Sequence, residues 1–234
     1  MNIRSGKFTM IVGFPSGALK NLFPYLSPEF FKALQDLGVK ALEIHTSDKE
    51  SLLKVLNLDL SLTKRLNYLA LHLPSVKETE MEDLLPIIKE VHAKHDFKLM
   101  VSHTDIITDW SIFSNQGLPI ALENMDHRKD RGKTVKDIKN ILDKYDFKFV
   151  LDVNHCFVND PSLKLVDEFI TAFNDRLAEI HVSGYEVLHD PLSKTRQSEI
   201  VEKIAHINVP IIIECGYQNL NEARQELNYV KSFF

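Results

Sequence analysis

Short apolar runs alternate with amphipathic segments along the whole chain. Each run ends in a polar residue or a turn, which is typical of parallel strands that are covered on both faces. The pattern predicts strands at residues 8–12, 41–45, 68–72, 98–103, 119–123, 148–152, 177–181 and 209–214.

The segments between these strands have the periodicity of amphipathic helices. Ser27 and Pro28 have the character of an N-cap and a first-turn proline, and Gly38 would end that helix. Thr134 and Asp137 have the spacing of a capping box. Helices are predicted at residues 28–37, 49–56, 81–95, 110–115, 134–145, 162–173, 198–206 and 221–233.

The predicted order is a strand followed by a helix, repeated along the chain without a change in composition. This alternation predicts an α/β protein with a parallel sheet, and units of roughly 30 residues fit a single (β/α)8 TIM barrel. We therefore expect residues 1–234 to form one TIM-barrel domain. An open doubly wound sheet is the alternative, but no glycine-rich phosphate fingerprint follows the first strand.

The predicted strands end in residues that can bind a metal. Strands three to eight close, in that order, on His72, His103, Glu123, Asp152, His181 and Glu214. In a barrel the carboxyl ends of all strands meet on one face, where catalytic groups lie. The residues two positions earlier on four of these strands would fill the interior beneath them, because side chains alternate along a strand. They are Ala70, Val101, Ala121 and Val150.

These ionisable side chains at one mouth need an explanation, because buried carboxylates and imidazoles without counter-charge are costly. Each histidine taken singly is more often a hydrogen-bonded core residue or a cap. Together the set is better explained by divalent cations, since mixed oxygen and nitrogen ligands suit zinc, manganese or iron. The sequence therefore predicts a metal centre at the strand ends.

Composition limits the function classes. The net charge is −5, so the chain as a whole has no attraction to nucleic acid or to an anionic membrane. Two cysteines, Cys156 and Cys215, do not make a disulfide framework, which favours free thiols in a reducing compartment. The first residues lack a signal-peptide core, and no apolar run approaches about 18 residues. We expect a cytoplasmic protein without a membrane span.

Four short motifs resemble one known group of barrels. They are residues 122–124 (Leu-Glu-Asn), 152–155 (Asp-Val-Asn-His), 179–181 (Glu-Ile-His) and 213–214 (Ile-Glu). The chain resembles the xylose isomerase-like TIM-barrel superfamily, which contains endonuclease IV, AP endonuclease family 2 and the sugar phosphate isomerases and epimerases. The resemblance covers the strand order of essentially the whole chain. It implies that one divalent metal is shared by Glu123, Asp152, His181 and Glu214.

The endonuclease IV branch of that superfamily implies a second metal. His72 and His103 match the positions that hold it, and the residue at the position of Glu123 bridges it to the first metal. The motifs of strands five to seven also resemble a multinuclear-iron barrel family linked to peptide modification, which shares the same ligand core.

A third metal in the endonuclease IV branch would be bound by His155 and Asp190. The pattern there is an Asp-x-His pair, and Leu192 stands where its histidine belongs. His189 is a replacement ligand in this interpretation. The resemblance therefore implies two or three divalent ions.

Other polar residues near the predicted mouth are candidates for substrate binding. Glu43 and His45 end the second strand and would contact substrate or support the metal. Arg128 and Arg131 in the loop after strand five, and Lys194 after strand seven, would bind a phosphate. Each has an ordinary alternative, because charged loop residues are more often simply solvated and a glutamate can bind a backbone amide.

Three functions fit this site. The first is metal-assisted phosphoester hydrolysis, in which Glu123 bridges two metals and Glu214 orients the water. The second is a sugar or sugar-phosphate isomerase or epimerase, with Glu123 and Glu214 as an acid–base pair. The third is metal binding without catalysis. The extra histidines favour hydrolysis of a small phosphorylated or sugar-like substrate. Nucleic acid is disfavoured, because the chain is short and has no basic stripe with interleaved aromatics.

Overall fold

The computed structural model describes residues 10–234, and its strands form a closed barrel. Every strand is parallel to both neighbours, and the first strand pairs with the eighth. The strands are β1 Val12–Pro15, β2 Ala41–His45, β3 Tyr68–His72, β4 Leu99–His103, β5 Ile120–Glu123, β6 Lys148–Asp152, β7 Leu177–Val182 and β8 Ile211–Ile213. The predicted (β/α)8 barrel is confirmed.

Helices surround the barrel, and two 3₁₀ helices, Ser16–Leu19 and Trp110–Phe113, follow β1 and β4. Within residues 10–234, no helix combines the length and apolar character that crossing a membrane requires. The α-helices are α1 Pro28–Asp36, α2 Lys49–Leu56, α3 Leu60–Thr63, α4 Glu78–His95, α5 Val135–Leu142, α6 Val153–Asn159, α7 Lys164–Phe173, α8 Leu192–Thr195, α9 Ser198–Glu202 and α10 Leu220–Lys231.

The first strand begins later than its apolar pattern predicts. The predicted segment, residues 8–12, lies partly outside the described residues, and β1 begins at Val12. Gly13 and Pro15 disfavour a strand by propensity, yet both belong to β1. A Cβ on Gly13 would lie 1.9 Å from the carbonyl oxygen of Ala41. Glycine is therefore required here by the close approach of β1 to β2.

Two helical segments also differ from the prediction. The segment predicted as a helix at residues 110–115 is the short 3₁₀ helix, in which Asp109 accepts a hydrogen bond from the backbone N–H of Ser111. Helix α6 follows Asp152 directly, where the sequence indicated a loop. Asp152 Oδ1 accepts the backbone N–H of His155 at 2.8 Å, so this carboxylate caps the helix as well as ending the strand.

The helix caps expected from the sequence are confirmed. Ser27 Oγ accepts the backbone N–H of Phe30 at 3.2 Å, at the start of α1. Thr134 Oγ1 accepts the N–H of Asp137 at 3.2 Å, and Asp137 Oδ2 accepts the N–H of Thr134 at 3.1 Å. These reciprocal bonds satisfy donors at the first turn of α5 that have no partner within the helix.

The barrel interior is filled with small apolar side chains. Ala70, Val101, Ala121 and Val150 pack there with Leu99 in a cluster separate from the larger core that includes the helices. Residues two apart on a strand share a face, so this layer lies directly below the strand-end ligand candidates of β3 to β6. A packed apolar layer therefore lies directly beneath the polar strand-end residues of these strands.

Candidate metal centre

Glu123 lies at the centre of the polar strand ends. Its Oε2 is 3.3 Å from Nε2 of His72 and 3.4 Å from Nε2 of His103. Its Oε1 is 3.6 Å from Nδ1 of both His155 and His181. The two oxygens of one buried carboxylate therefore face different sets of imidazoles. The register of the barrel causes this, because His103 and Glu123 are direct partners on β4 and β5.

Four groups of side chains in residues 10–234 have ligand atoms that lie within 4.8 Å of one another, and two of these groups consist of the predicted strand-end residues. The four-residue group is Glu123, Asp152, His181 and Glu214. The three-residue group is His72, His103 and Glu123. Glu123 belongs to both, so the structure brings together all six strand-end residues predicted from the sequence. The three-residue group also leaves a coordination position for water or substrate.

Buried atoms without partners indicate a cation at the four-residue group. Nδ1 of His181 and Oδ2 of Asp152 are buried, and neither has a hydrogen-bond partner in the described part of the chain. Leaving such an atom unsatisfied costs about 1–3 kcal/mol, and native proteins rarely do so without reason. One imidazole and three carboxylates suit a zinc, manganese or iron ion. The residues therefore fit a divalent metal.

Two of the imidazoles, those of His103 and His181, differ in charge. Burial lowers the pKa of His103 to about 4, and the charge of Glu123 opposes this only in part. Burial also disfavours the protonated form of His181, but the carboxylates of Glu214 and Glu43 outweigh burial and raise the pKa of His181 well above its usual value. Without metal, His103 is therefore neutral at neutral pH, whereas His181 holds a proton that a metal must displace.

The carboxylates differ in the same way. Burial tends to raise the pKa of Glu123, but hydrogen bonds from His181 and His72 outweigh it, and the pKa falls well below its usual range. Burial dominates at Glu214 despite the opposing charge of His181, so its pKa is raised well above normal, and the charges of Glu123 and Asp152 add to the rise. The environment favours the ionised form of one carboxyl group and the protonated form of its neighbour, as in acid–base pairs.

His155 approaches Glu123 but bonds elsewhere. Its Nδ1 donates to the carbonyl oxygen of Asn124 at 2.8 Å, and its Nε2 lies 3.9 Å from Oδ2 of Asp126. Burial would raise the pKa of Asp126, but the hydrogen bonds of Arg128 lower it to about 2. Asp126 follows the motif of strand five by two residues, and the sequence analysis did not single it out.

Asp190 organises a loop instead of facing the metal groups. Its Oδ2 accepts the backbone N–H groups of residues 186–188 at 2.8–3.2 Å. Leu192 is buried in the core. His189 lies nearer the centre, with Nδ1 4.0 Å from Oε2 of Glu214. Among residues 10–234, no group with ligand atoms within 4.8 Å of one another includes Asp190 or His189, and the third metal position stays a prediction.

Glu43 and His45 lie beside the four-residue group. Nε2 of His45 is 2.6 Å from Oε1 of Glu43 and 3.7 Å from Oε1 of Glu214. These three residues also have ligand atoms within 4.8 Å of one another. The contact between His45 and Glu43 is a short hydrogen bond, so Nε2 of His45 and Oε1 of Glu43 have a partner without an ion.

Glu179 is a site residue that the sequence analysis missed. It is fully buried on β7, and its Oε1 lies 3.0 Å from Nε2 of His181. The repeated Glu-x-His pattern is a signal that could have found it, because Glu43 and His45 on β2 have the same spacing. On each strand the glutamate lies in the layer below the histidine and bonds its Nε2.

A cleft of about 1050 Å³ opens above the metal groups, and residues of both groups line it. Its cationic lining residues are Lys20, Lys54, Arg128 and Lys129. Three of them already pair with carboxylates: Lys54 with Glu50, Arg128 with Asp126 and Lys129 with Asp105. Among the described ion pairs, Lys20 has none. The cleft therefore has four cationic side chains near the metal groups, and carboxylates neutralise three of them.

The other two predicted phosphate ligands lie away from the cleft lining. Arg131 donates to the carbonyl oxygen of Asp105 at 2.7 Å, which joins the loops after β5 and β4. Lys194 lies 3.4 Å from Glu222 on the exposed surface. Arg128 and His45 do line the cleft, so the structure places these two predicted substrate residues near the metal groups.

Solved structures share this fold. The 3-keto-D-glucoside 4-epimerase from E. coli has a TM-score of 0.69 and 14% identity over 96% of this chain and 100% of its own. A sugar phosphate isomerase/epimerase from Parabacteroides distasonis has a TM-score of 0.65 and 14% identity, over 99% and 96% of the two chains. Endonuclease IV from Thermus thermophilus has a TM-score of 0.63 and 13% identity, over 95% and 98%.

The chain therefore has the fold of the xylose isomerase-like TIM barrels, as its motifs predicted. No family model matches the sequence, and no curated protein matches it. At these identities the likeness establishes the fold and not the reaction. The neighbours include sugar epimerases as well as endonuclease IV, which represent two of the reaction classes considered for the site.

Proposed function

We propose that this barrel is a divalent-metal-dependent hydrolase that acts on a phosphoester of a small substrate. The observation that supports it is that the two carboxylate oxygens of Glu123 face different imidazoles. Oε2 faces His72 and His103, and Oε1 faces His181. A carboxylate whose two oxygens face different ligand groups can bind one ion through each oxygen. Paired ions about 3.5–4 Å apart are typical of phosphoester hydrolases.

Each residue then has a defined task. Glu123 would bridge two ions, Asp152 and His181 would complete one site, and His72 and His103 the other. Bound divalent ions would supply Lewis acidity to a water and to a phosphoryl oxygen. Glu214 is the most exposed carboxylate of the four-residue group, with 12% of its side chain accessible, and would orient the attacking water.

The cleft supports a small anionic substrate. Lys20 and Arg128 lie on its wall, and cations near paired metals help to hold phosphoryl oxygens. The cleft volume, about 1050 Å³, is at the upper end for small-molecule sites. The surrounding carboxylates Asp48 and Glu50 disfavour a long polyanion such as nucleic acid.

A sugar or sugar-phosphate isomerase or epimerase is the second candidate. The observation that favours it is the position of His181 Nδ1 between Glu214 Oε1 at 3.4 Å and Glu123 Oε1 at 3.6 Å. Two carboxylates around one metal position can remove and return a proton beside a carbonyl. The epimerase neighbours show that this fold accommodates such chemistry.

His103→Ala separates the two candidates. If the site is hydrolytic, the variant loses about one metal ion per chain and its phosphoesterase turnover falls by roughly two orders of magnitude or more, because one Lewis acid is lost. Metal content is measured by elemental analysis of protein purified without chelator, and turnover with a panel of small phosphate mono- and diesters. His206→Ala is the matched control, because His206 is an exposed histidine that belongs to neither group.

Unchanged metal content in His103→Ala contradicts the paired centre. Retained metal together with solvent-deuterium incorporation into a ketose or ketose phosphate identifies the isomerase instead. Bound metal with neither activity in the wild-type protein supports metal binding without catalysis.

A further inference from the structure

His181 has two nitrogens in two different environments, and the ring is fully buried. Nδ1 faces the metal groups, 3.4 Å from Oε1 of Glu214, and has no hydrogen-bond partner among the described residues. Nε2 faces the barrel interior, 3.0 Å from Oε1 of Glu179 and 3.3 Å from Oε2 of Glu43. The ring therefore connects the strand mouth with a polar pocket below it.

This arrangement selects one form of the imidazole. A metal-ligating imidazole offers a lone pair on one nitrogen and carries its N–H on the other. An accepting oxygen of the Glu179 carboxyl group at 3.0 Å from Nε2 stabilises the N–H there, and leaves the Nδ1 lone pair directed toward Glu214 and Glu123. Carboxylates behind a ligating histidine fix the ring and raise its basicity as a ligand.

Glu179 makes the closer of the two interior contacts. The contact of its Oε1 with His181 has hydrogen-bond geometry, whereas Oε2 of Glu43 has no hydrogen-bond partner within residues 10–234. The other oxygen of Glu43 is occupied by His45 at 2.6 Å. Glu43 therefore orients His45 and adds negative charge behind His181, while Glu179 holds the ring.

Two buried carboxylates in the barrel interior are costly, and that cost indicates a role. The corresponding positions on β3 to β6 are apolar, and on β8 the position is Ile212. Neither Glu43 nor Glu179 forms an ion pair with lysine or arginine in the described residues. An apolar residue would pack in this layer at lower cost.

We propose that Glu179 is a positioning residue, which holds His181 with its Nδ1 lone pair directed into the four-residue group. Glu43 supports it from β2. The inference rests on the metal centre of the proposed function, but not on the choice between hydrolysis and epimerisation.

The test compares zinc affinity and ring geometry in Glu179→Gln and Glu179→Met. Glu226→Gln is the matched control, because Glu226 is equally buried but accepts the backbone N–H groups of Leu192 and Ser193. Zinc affinity is measured by competition with a chromophoric chelator, and thermal stability is measured on the metal-free proteins. Nitrogen-15 histidine NMR of the zinc-loaded protein reports which ring nitrogen carries the proton and how fast it exchanges.

We expect Glu179→Met to weaken the tightest zinc site by about 10–100-fold. Glu179→Gln should weaken it less, because its amide oxygen still accepts the N–H, and it guards against a Met variant that does not fold. The wild-type spectrum should show a slowly exchanging Nε2–H on His181, and both Glu179 variants should exchange it faster. Glu226→Gln should change thermal stability without changing zinc affinity.

Equal zinc affinities in Glu179→Gln, Glu226→Gln and the wild type would overturn the positioning role and leave the metal centre standing. A His181 signal with zinc on Nε2 would also overturn it. Failure of the wild-type protein to bind zinc, manganese or iron would overturn the metal centre and the inference together.

Discussion

At the scale of single residues, the barrel gives two histidine side chains different charge states. Burial keeps His103 neutral, with a pKa of about 4. At His181 the surrounding carboxylates outweigh burial and raise the pKa. The number and distance of nearby carboxylates decide the difference, because burial alone favours the neutral form of both imidazoles.

Metal binding is therefore expected to release protons. His181 and Glu214 both have pKa values above their usual ones in the metal-free protein, so both keep their protons to a higher pH than an ordinary histidine or glutamate, and coordination must displace these protons. Affinity should fall as pH falls, because the protonated forms compete with the metal. Calorimetric titration with zinc in buffers of different ionisation enthalpy measures the protons released.

His103→Ala provides the internal comparison. Because His103 is already neutral at pH 7, its removal should leave the proton release of the tightest site unchanged. Zero proton release by the wild-type protein between pH 6 and pH 8 would show that the core ligands are deprotonated before the metal arrives.

At the scale of elements, local bonds at the helix starts define where each strand–helix unit turns. The capping boxes of α2 and α5 each use a side chain at the N-cap and another three residues later. Asp152 is a helix cap within the site. Its Oδ1 caps α6, and its Oδ2 lies 3.5 Å from Nδ1 of His155. A cap at this position therefore also orients a candidate ligand.

Thr134→Ala tests how much such a cap contributes. The substitution removes the acceptor for the N–H of Asp137, and we expect a loss of about 1 kcal/mol in the free energy of unfolding. Urea denaturation measures it. Thr171→Ala, at an exposed position within α7, is the matched control and should change stability by less than about 0.5 kcal/mol. Equal effects of the two substitutions would contradict the capping role.

At the scale of the whole molecule, closing the barrel requires strands to approach closely at β1. This strand pairs with both β2 and β8, and Gly13 is opposite Ala41 on one side and Ile212 on the other. The available space at Gly13 does not accommodate a methyl group, because the carbonyl of Ala41 occupies it. Barrel closure at the first strand therefore depends on a residue without a side chain at position 13.

Gly13→Ala should destabilise the folded barrel by roughly 1–3 kcal/mol or more, as overpacking does. Gly17→Ala is the control, because a Cβ at Gly17 meets nothing within 4 Å. Thermal unfolding of the two variants beside the wild type measures the difference. A Gly13→Ala protein as stable as Gly17→Ala would show that β1 and β2 can separate without cost.

The sequence by itself determined the order of strands and helices, most helix starts and the six strand-end ligand candidates. These features depend on local geometry, because hydrophobic period and capping spacing are fixed within a few residues of chain. The fold-level resemblance followed from the same short motifs, and the likeness to solved barrels confirms it. The first strand was predicted too early in the chain, because Gly13 disfavours a strand by propensity. The close approach of β2 is what requires glycine at this position.

Tertiary structure alone decided how the candidates are used. Asp190 and Arg131 have the right chemistry for a site, yet loop conformation commits them to backbone groups. Oε2 of Glu43 lies 3.3 Å from Nε2 of His181 because the closed barrel brings β2 and β7, which are far apart in the chain, to one interior. The division of the two oxygens of Glu123 depends on the register of several strands at once. Barrel closure and strand register set the distances between strands that are far apart in the chain. The hydrophobic pattern of the sequence does not predict these distances.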